Sequence, residues 1–106
     1  MIKTEIVAGV CNLHTTVEAR CDDGMTVELV ITSDCPQVMA LAAELTSVNA
    51  FAELFKPLNQ SLALELAAKH KLHTTCVVPV GVLKAVEAAA SMALPARACI
   101  EMDKQD

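Results

Sequence analysis

The sequence predicts an α+β domain in which a mainly antiparallel, four-stranded sheet carries helices on one face. Apolar and polar residues alternate in three stretches before residue 34 and again near the C-terminus, which is typical of strands with one buried face. Between these regions, apolar residues recur at helical spacing. The predicted order of elements is therefore β-β-β-α-α-α-β, within a single domain of residues 1–106.

The composition limits both the core and the partners. Hydrophobic residues make up 54% of the chain but only two residues are aromatic, so the core is expected to consist of Ala, Leu, Val and Met. Few aromatic rings argue against a stacking surface for single-stranded nucleic acid, and a net charge of −5 argues against binding to phosphate backbones. We therefore expect no nucleic-acid partner.

The N-terminus and the hydropathy pattern predict a cytoplasmic protein without a membrane partner. Lys3 and Glu5 interrupt the region where a signal peptide would be apolar, and no stretch approaches the ~20 apolar residues of a membrane span. In that compartment, five cysteines are expected to be thiols or metal ligands rather than disulfides.

Three strands are predicted at the start of the chain, over residues 2–8, 15–21 and 25–31. The turn between the second and third strands contains Asp22-Asp23-Gly24. A three-residue loop with its glycine at positive φ sets Cys21 opposite Met25 and keeps the apolar faces together. A two-residue turn would set Arg20 opposite Val27 and mix the faces, so we predict the three-residue loop.

The helices are predicted from their caps and apolar stripes. Pro36 suits the first position of a helix, which makes Cys35 its N-cap. Further helices are expected over residues 49–55, from a cap at Asn59 or Ser61 to Lys71, and from Pro79 to a stop near Pro95. A final strand is predicted over residues 97–102, where Ala98, Ile100 and Met102 alternate with Arg97, Cys99 and Glu101.

Three cysteines fall at junctions between the predicted elements: Cys11, Cys35 and Cys76. If the first and third strands both run antiparallel to the second, Cys11 and Cys35 leave the sheet at the same end. Cys76 joins them if the last helix begins there. Packing alone also places small cysteines at helix starts.

Two histidines flank these cysteines, in Cys11-x-x-His14 and His73-x-x-Cys76. Thiolate and imidazole suit zinc, whereas three or four thiolates suit an iron–sulfur cluster. We predict a metal site with Cys11, Cys35 and Cys76 as ligands, and His14 or His73 as the fourth. No CxxC pair is present, so the choice between zinc and an iron–sulfur cluster stays open.

Two other functions are compatible with the sequence. A thiol at a helix N-terminus is activated by the helix dipole, so Cys35 is also a candidate redox or nucleophilic thiol, with Cys11 or Cys76 resolving it. A homodimeric interaction module, formed through the sheet edge or the alanine-rich last helix, is the other alternative. No GxGxxG, GxxxxGK[ST], GxSxG or HExxH motif is present, which favours a binding protein over an enzyme. Cys21 is expected in the core and Cys99 on the outer face of the last strand.

The stretches Thr32-Ser33-Asp34-Cys35-Pro36 and Thr74-Thr75-Cys76, each followed by a helix, resemble the Thr-Ser-Cys-Pro-Asp motif domain, and residues 9–13 are similar to its early glycine-cysteine-asparagine-leucine element. That small domain occurs alone and at the ends of some ribonucleotide reductases, and the resemblance implies metal binding by its cysteines. The chain departs from the motif at Asp34 and at the two valines after Cys76. It also resembles small cysteine-containing proteins of anaerobic microbes, which implies oxygen-sensitive metal chemistry.

Overall fold

The protein is a four-stranded antiparallel sheet with helices on one face, in a computed structural model that describes residues 1–106. The strand order is β1-β2-β3-β4, so each strand pairs with its neighbour in sequence. The elements in chain order are β1 (Ile2–Val7), β2 (His14–Cys21), β3 (Thr26–Ser33), α1 (Pro36–Glu44), β4 (Ser47–Asn49), α2 (Ala50–Leu54), a 3₁₀ turn (Leu58–Gln60), α3 (Leu62–Lys69) and α4 (Val78–Ala89).

The predicted α+β class and four-stranded antiparallel sheet are confirmed, but the fourth strand is a different segment from the one expected. It is β4, which pairs antiparallel with β3 and sets Val48 opposite Val27. A strand of three residues shows too little alternation to be recognised in a sequence. The segment predicted as the last strand, residues 97–102, is exposed and forms no strand. Alternation of apolar and polar residues indicates that a segment could form a strand. The strand forms only if its backbone groups can also pair with the edge of a neighbouring strand.

The β2–β3 hairpin has a longer loop than predicted. Cys21 lies opposite Val27, so the expected pairing of Cys21 with Met25 is wrong. Asp23 Oδ1 accepts hydrogen bonds from the backbone N–H groups of Thr26 (2.8 Å) and Met25 (2.9 Å), which lower the pKa of Asp23 and hold the wider loop. The loop glycine has a φ of +78°, as expected. Because the register differs by two residues, the predicted apolar face of each strand is unchanged.

The core lies between one face of the sheet and the helices. It is built from Val, Leu, Ile and Ala without an aromatic ring, since Phe51 and Phe55 are both exposed. Of the methionines expected in the core, Met92 packs against it, whereas Met25, Met39 and Met102 are exposed. The largest side chains that are almost completely buried are Leu41, Leu45, Val17, Val27, Val38, Val78, Val82 and Val86.

Two helices cover most of the sheet. α1 packs on β3, and α4 packs on β1 and β2. α4 approaches β1 closely at Gly81, where an added Cβ would lie 2.7 Å from Ile6 Cγ1 and closer still to Ile6 Cδ1. α4 is the longest helix, with 12 residues, and none of the helices combines the length and apolar character of a membrane span.

The buried carboxylate of Glu53 connects α2 to the start of α3. Glu53 Oε1 accepts hydrogen bonds from the Ser61 hydroxyl and from the Ala63 backbone N–H (3.1 Å). Ser61 in turn caps α3, since its Oγ accepts a hydrogen bond from the Leu64 N–H (3.4 Å). No buried side-chain nitrogen or oxygen is left without a hydrogen-bond partner.

A surface ion cluster connects α1 to the end of α3. Glu44 accepts a hydrogen bond from Lys69 Nζ at 2.7 Å and also pairs with His70 Nε2. These contacts, first that of Lys69 and then that of His70, lower the pKa of Glu44 from its ordinary value of 4.5. Because the cluster is exposed to solvent, salt is expected to screen it.

We expect Gly81→Ala to destabilise the protein, although alanine is the better helix former. The helix propensity gained is about 1 kcal/mol, whereas a methyl group forced against packed neighbours typically costs about 1–3 kcal/mol. In an Ile6→Ala background the clash is absent, so the same substitution should stabilise by about 1 kcal/mol. Chemical denaturation of the four proteins measures this change of sign. An equal effect of Gly81→Ala in both backgrounds would contradict the close approach.

We expect the contribution of Glu44 to be lost in acid. A carboxyl group whose pKa is lowered on folding stabilises the native state above its unfolded pKa, and this stability disappears as the pH falls through the folded pKa. The difference in unfolding free energy between the wild type and Glu44→Gln should therefore shrink from about pH 5 towards pH 3. Glu65→Gln, on the exposed part of α3, is the matched control. A difference that stays constant over this range would show that the ion cluster does not stabilise the fold.

Candidate functional site

Three loops meet at one end of the sheet. β1 and β3 both run antiparallel to β2, so their C-terminal ends lie at the same end. Cys11 follows β1, and Cys35 follows β3. α4 also begins here, because its first residue, Val78, lines the same cavity as Cys11 and Cys35. Cys76, two residues before α4, is thereby brought to the same place.

Cys11, Cys35 and Cys76 line one cavity of about 110 Å³, which we term the thiol cavity. His73 and Lys71 are part of the same wall. The other lining residues are Ala8, Leu13, Thr15, Gln37, Val38, Leu72 and Val78. Cys11 is exposed, whereas Cys35 and Cys76 are half-buried. The three thiols therefore differ in exposure, and Cys11 is the most open to solvent.

Cys11 is positioned by a tight turn after β1. The Asn12 N–H donates to the Gly9 carbonyl at 2.8 Å, which closes the turn around Val10 and Cys11. Gly9 has a φ of +86° and Asn12 a φ of +54°. Glycine and asparagine are the residues that adopt this left-handed region most readily. Glycine and asparagine at these two positions therefore favour the turn that carries Cys11.

Cys35 is positioned by the start of α1. It is the N-cap residue, and Pro36 follows at the first helical position, as predicted. The Cys35 N–H donates to Ser33 Oγ at 3.0 Å, and Ser33 Oγ lies 2.7 Å from Thr15 Oγ1 on β2. The Cys35 thiol donates to Gln37 Oε1 at 3.2 Å. Hydrogen bonds from the sheet and from α1 thus fix both the backbone and the thiol of Cys35.

His73 and Cys76 are positioned together by the segment between α3 and α4. α3 ends at Lys69, Lys71 follows in a left-handed conformation (φ +60°), and the Leu72 N–H donates to the Ala67 carbonyl at 3.0 Å. This is the hydrogen bond of a Schellman motif, which turns the chain sharply away from the helix axis. The Cys76 N–H then donates to the His73 carbonyl at 2.9 Å. One turn therefore carries both potential ligands.

The other candidates from the sequence lie outside the thiol cavity. His14 is exposed at the start of β2, between Leu13 and Thr15, which do line the cavity. Alternate residues of an extended chain point to opposite faces, which accounts for the position of His14. Cys21 packs against the core beside the hairpin loop, in line with its expected place. Cys99 is exposed in the C-terminal segment.

Two polar residues of the cavity were not singled out from the sequence. Gln37 lies on the first turn of α1, two residues after the N-cap Cys35. A side chain at that position can reach the side chain of the N-cap residue, so the sequence spacing from Cys35 is a signal for Gln37. No comparable sequence signal places Lys71 in the cavity wall. Its place depends on a Schellman motif in which glycine, not lysine, is the usual left-handed residue.

The size of the thiol cavity and its donors limit what it can hold. Its volume of about 110 Å³ is several times that needed for one water molecule, yet well below the ~300–1,000 Å³ of pockets for drug-sized ligands. Three thiols and an imidazole are ligands for zinc and for iron–sulfur clusters. No group of three or more His, Cys, Asp or Glu side chains is arranged at coordinating positions in this structure.

A larger, open hollow of about 400 Å³ lies at the end of α4. Its lining residues are Ala88, Ser91, Met92, Ala93, Leu94 and Pro95. None of them is ionisable or a strong metal ligand, so this hollow has no groups for acid–base or metal chemistry. The thiol cavity is therefore the better candidate for a functional site, although it is smaller.

Comparison with protein families relates residues 2–102 to a model described as "Family of unknown function (DUF6951)". Comparisons with curated proteins and with solved structures gave no match. The family match includes all strands and helices of the fold and every lining residue of the thiol cavity. The chain therefore belongs to the DUF6951 family.

Proposed function

We propose that the protein binds a metal ion or an iron–sulfur cluster in the thiol cavity, with Cys11, Cys35 and Cys76 as ligands. The proposal is supported above all by one observation: thiols from three loops that are distant in sequence line a single small cavity. The sequence left His14 and His73 as alternatives for the fourth ligand. We propose His73, because it lines the cavity with the thiols and His14 does not.

Binding requires the thiols to move, because they do not stand at coordinating positions in this structure. Zinc holds thiolate sulfurs at about 2.3 Å and imidazole nitrogens at about 2.0–2.1 Å, so tetrahedral geometry brings sulfurs to roughly 3.8 Å from one another. A cysteine side chain moves its sulfur by rotation about one torsion, while its backbone stays in place. The Cys35 thiol would give up its hydrogen bond to Gln37 and lose its proton to become a ligand.

An iron–sulfur cluster would use the same protein donors. Such clusters are held by cysteine thiolates, and histidine replaces cysteine in some of them. The bound group would supply either a structural cross-link between the three loops, in the case of zinc, or an electron-transfer centre, in the case of a cluster. Metal content and the absorption spectrum distinguish the two.

Lys71 and Gln37 would support the bound group from outside the ligand set. Three thiolates around one zinc ion leave a net negative charge, and the Lys71 ammonium in the cavity wall has the opposite sign. The Gln37 side chain accepts from the Cys35 thiol here, and rotation of its amide would present an N–H to a Cys35 thiolate. Outer hydrogen bonds of this kind orient ligands and tune the bound metal.

We expect protein purified without oxygen to carry stoichiometric metal, and each of Cys11→Ser, Cys35→Ser and Cys76→Ser to lose most of it. Removing one thiolate leaves too few soft ligands, and the loss should be at least tenfold in bound metal. Elemental analysis and an absorption spectrum of each variant provide the measurement. His73→Ala should weaken retention of the metal against a chelator, while His14→Ala should have no effect.

Cys21→Ser and Cys99→Ser are the matched controls, because they remove a thiol without touching the thiol cavity. Both should retain full metal. The proposal fails if the wild type stays metal-free after reconstitution with zinc and with iron and sulfide, or if the three cavity variants retain as much metal as the controls. Formation of a disulfide within the cavity in protein that binds no metal would support the redox alternative instead.

A further inference from the structure

The C-terminal segment, residues 97–102, has the pattern of a strand but no partner within the chain. Its apolar positions are open to solvent, with Ile100 exposed by 76% and Met102 by 89%. None of its backbone groups takes part in a hydrogen bond. The structure measures 50 Å along its longest axis and 28 and 25 Å along the others, as expected when a terminal segment extends from a compact body. The family match nevertheless includes this segment.

The free edge of β1 is available to such a segment. β1 lies at one side of the sheet and pairs only with β2. Its other edge therefore presents unpaired backbone N–H and C=O groups, which readily accept an additional strand. The opposite edge of the sheet is the three-residue β4, which is too short to pair with six residues.

The antiparallel register that pairs all six residues of segment 97–102 with β1 matches it in both polarity and charge. In an antiparallel arrangement with Glu101 opposite Lys3, the apolar residues Met102, Ile100 and Ala98 lie opposite the core-facing residues Ile2, Thr4 and Ile6. Parallel registers that keep the apolar faces together instead set like charges opposite each other, namely Lys3 and Arg97, Glu5 and Glu101, or Glu5 and Asp103. Like charges at neighbouring cross-strand positions are destabilising. The antiparallel register is therefore favoured.

The chain cannot make this antiparallel pair with its own β1. Val78, at the start of α4, lines the thiol cavity together with Ala8, and Gly81 lies against Ile6, so α4 runs antiparallel to β1. With a rise of about 1.5 Å per helical residue and about 3.4 Å per strand residue, α4 ends level with Ile2.

Antiparallel pairing would start at Val7, about 17 Å away from that end of β1. The N–H groups of Ser91 and Met92 donate to carbonyls in the last turn of α4. Both residues therefore stay at the end of the helix, and the connection to segment 97–102 begins after Met92. Met92 and Arg97 are joined by five Cα–Cα steps, which span at most about 18 Å. The path along β1 and down from the helix layer to the edge of the sheet is longer, about 20 Å.

We propose that residues 97–102 pair as a strand with β1 of a second copy of this chain, and that the exchange is reciprocal. In a twofold dimer, the two segments lie side by side between the two β1 strands. Each segment is then two strand positions, or about 10 Å, from its own β1, which residues 93–96 can span. The result is a continuous antiparallel sheet across both copies. The inference is independent of metal binding.

Charge reversal at the paired residues Lys3 and Glu101 tests the proposal. Under reducing conditions, which prevent disulfides through Cys99, light scattering should show a wild-type dimer of twice the 11.2 kDa chain mass. Lys3→Glu and Glu101→Lys should each raise the Kd of the dimer about tenfold, because two pairs per dimer change from attraction to repulsion. An equal mixture of the two variants should dimerise like the wild type, since both pairs in the mixed dimer are again of opposite charge.

Rescue in the mixture requires pairing between copies, so it excludes a segment that folds back on its own chain. Lys104→Glu makes the same charge change just outside the paired segment and should leave the dimer intact. Ile100→Pro should abolish the dimer, because proline cannot donate a strand hydrogen bond, and should leave the rest of the domain folded. Gln105→Pro, outside the paired segment, should leave the dimer intact. A monomeric wild type, a mixture without rescue, or a dimer unaffected by Ile100→Pro would each overturn the proposal.

Discussion

The antiparallel order of β1, β2 and β3 decides where the thiols of this protein lie. Two strands separated by one antiparallel neighbour end at the same side of a sheet, so the loops with Cys11 and Cys35 must leave it together. The third thiol depends on α4, which crosses β1 closely at Gly81 and begins at that same side. The thiol cavity is thus a consequence of topology and of one helix–sheet contact.

Backbone hydrogen bonds position the thiols without the help of a bound group. Gly9 and Asn12 close the turn around Cys11, Ser33 holds the backbone of Cys35, and His73 accepts from Cys76 within one turn. At the proposed metal site, fixed backbones would reduce the number of torsions to be ordered when a ligand binds. The smaller loss of conformational entropy would favour the proposed binding.

Periodicity in the sequence was sufficient for the faces of the strands but not for their exact pairing. The apolar face of β2 follows from Val17 and Ala19, whereas the offset to β3 depends on the hydrogen bonds of Asp23 in the loop, which alternation does not report. In the site, too, the sequence predicts part of the arrangement and the fold decides the rest. Pro36 places Cys35 at a helix start, but the two Cys-x-x-His spacings could not separate His14 from His73, because only the folded chain shows which ring lies beside the thiols.

X-ray absorption at the metal edge tests the central claim most directly, because it counts the atoms bound to the metal. In protein purified with its metal, the account predicts a coordination shell dominated by sulfur, with protein thiolates at about 2.3 Å if the metal is zinc and one nitrogen at about 2.0–2.1 Å. The shell should lose one protein sulfur or disappear in Cys76→Ser. A shell of oxygen and nitrogen alone would contradict a metal centre in the thiol cavity.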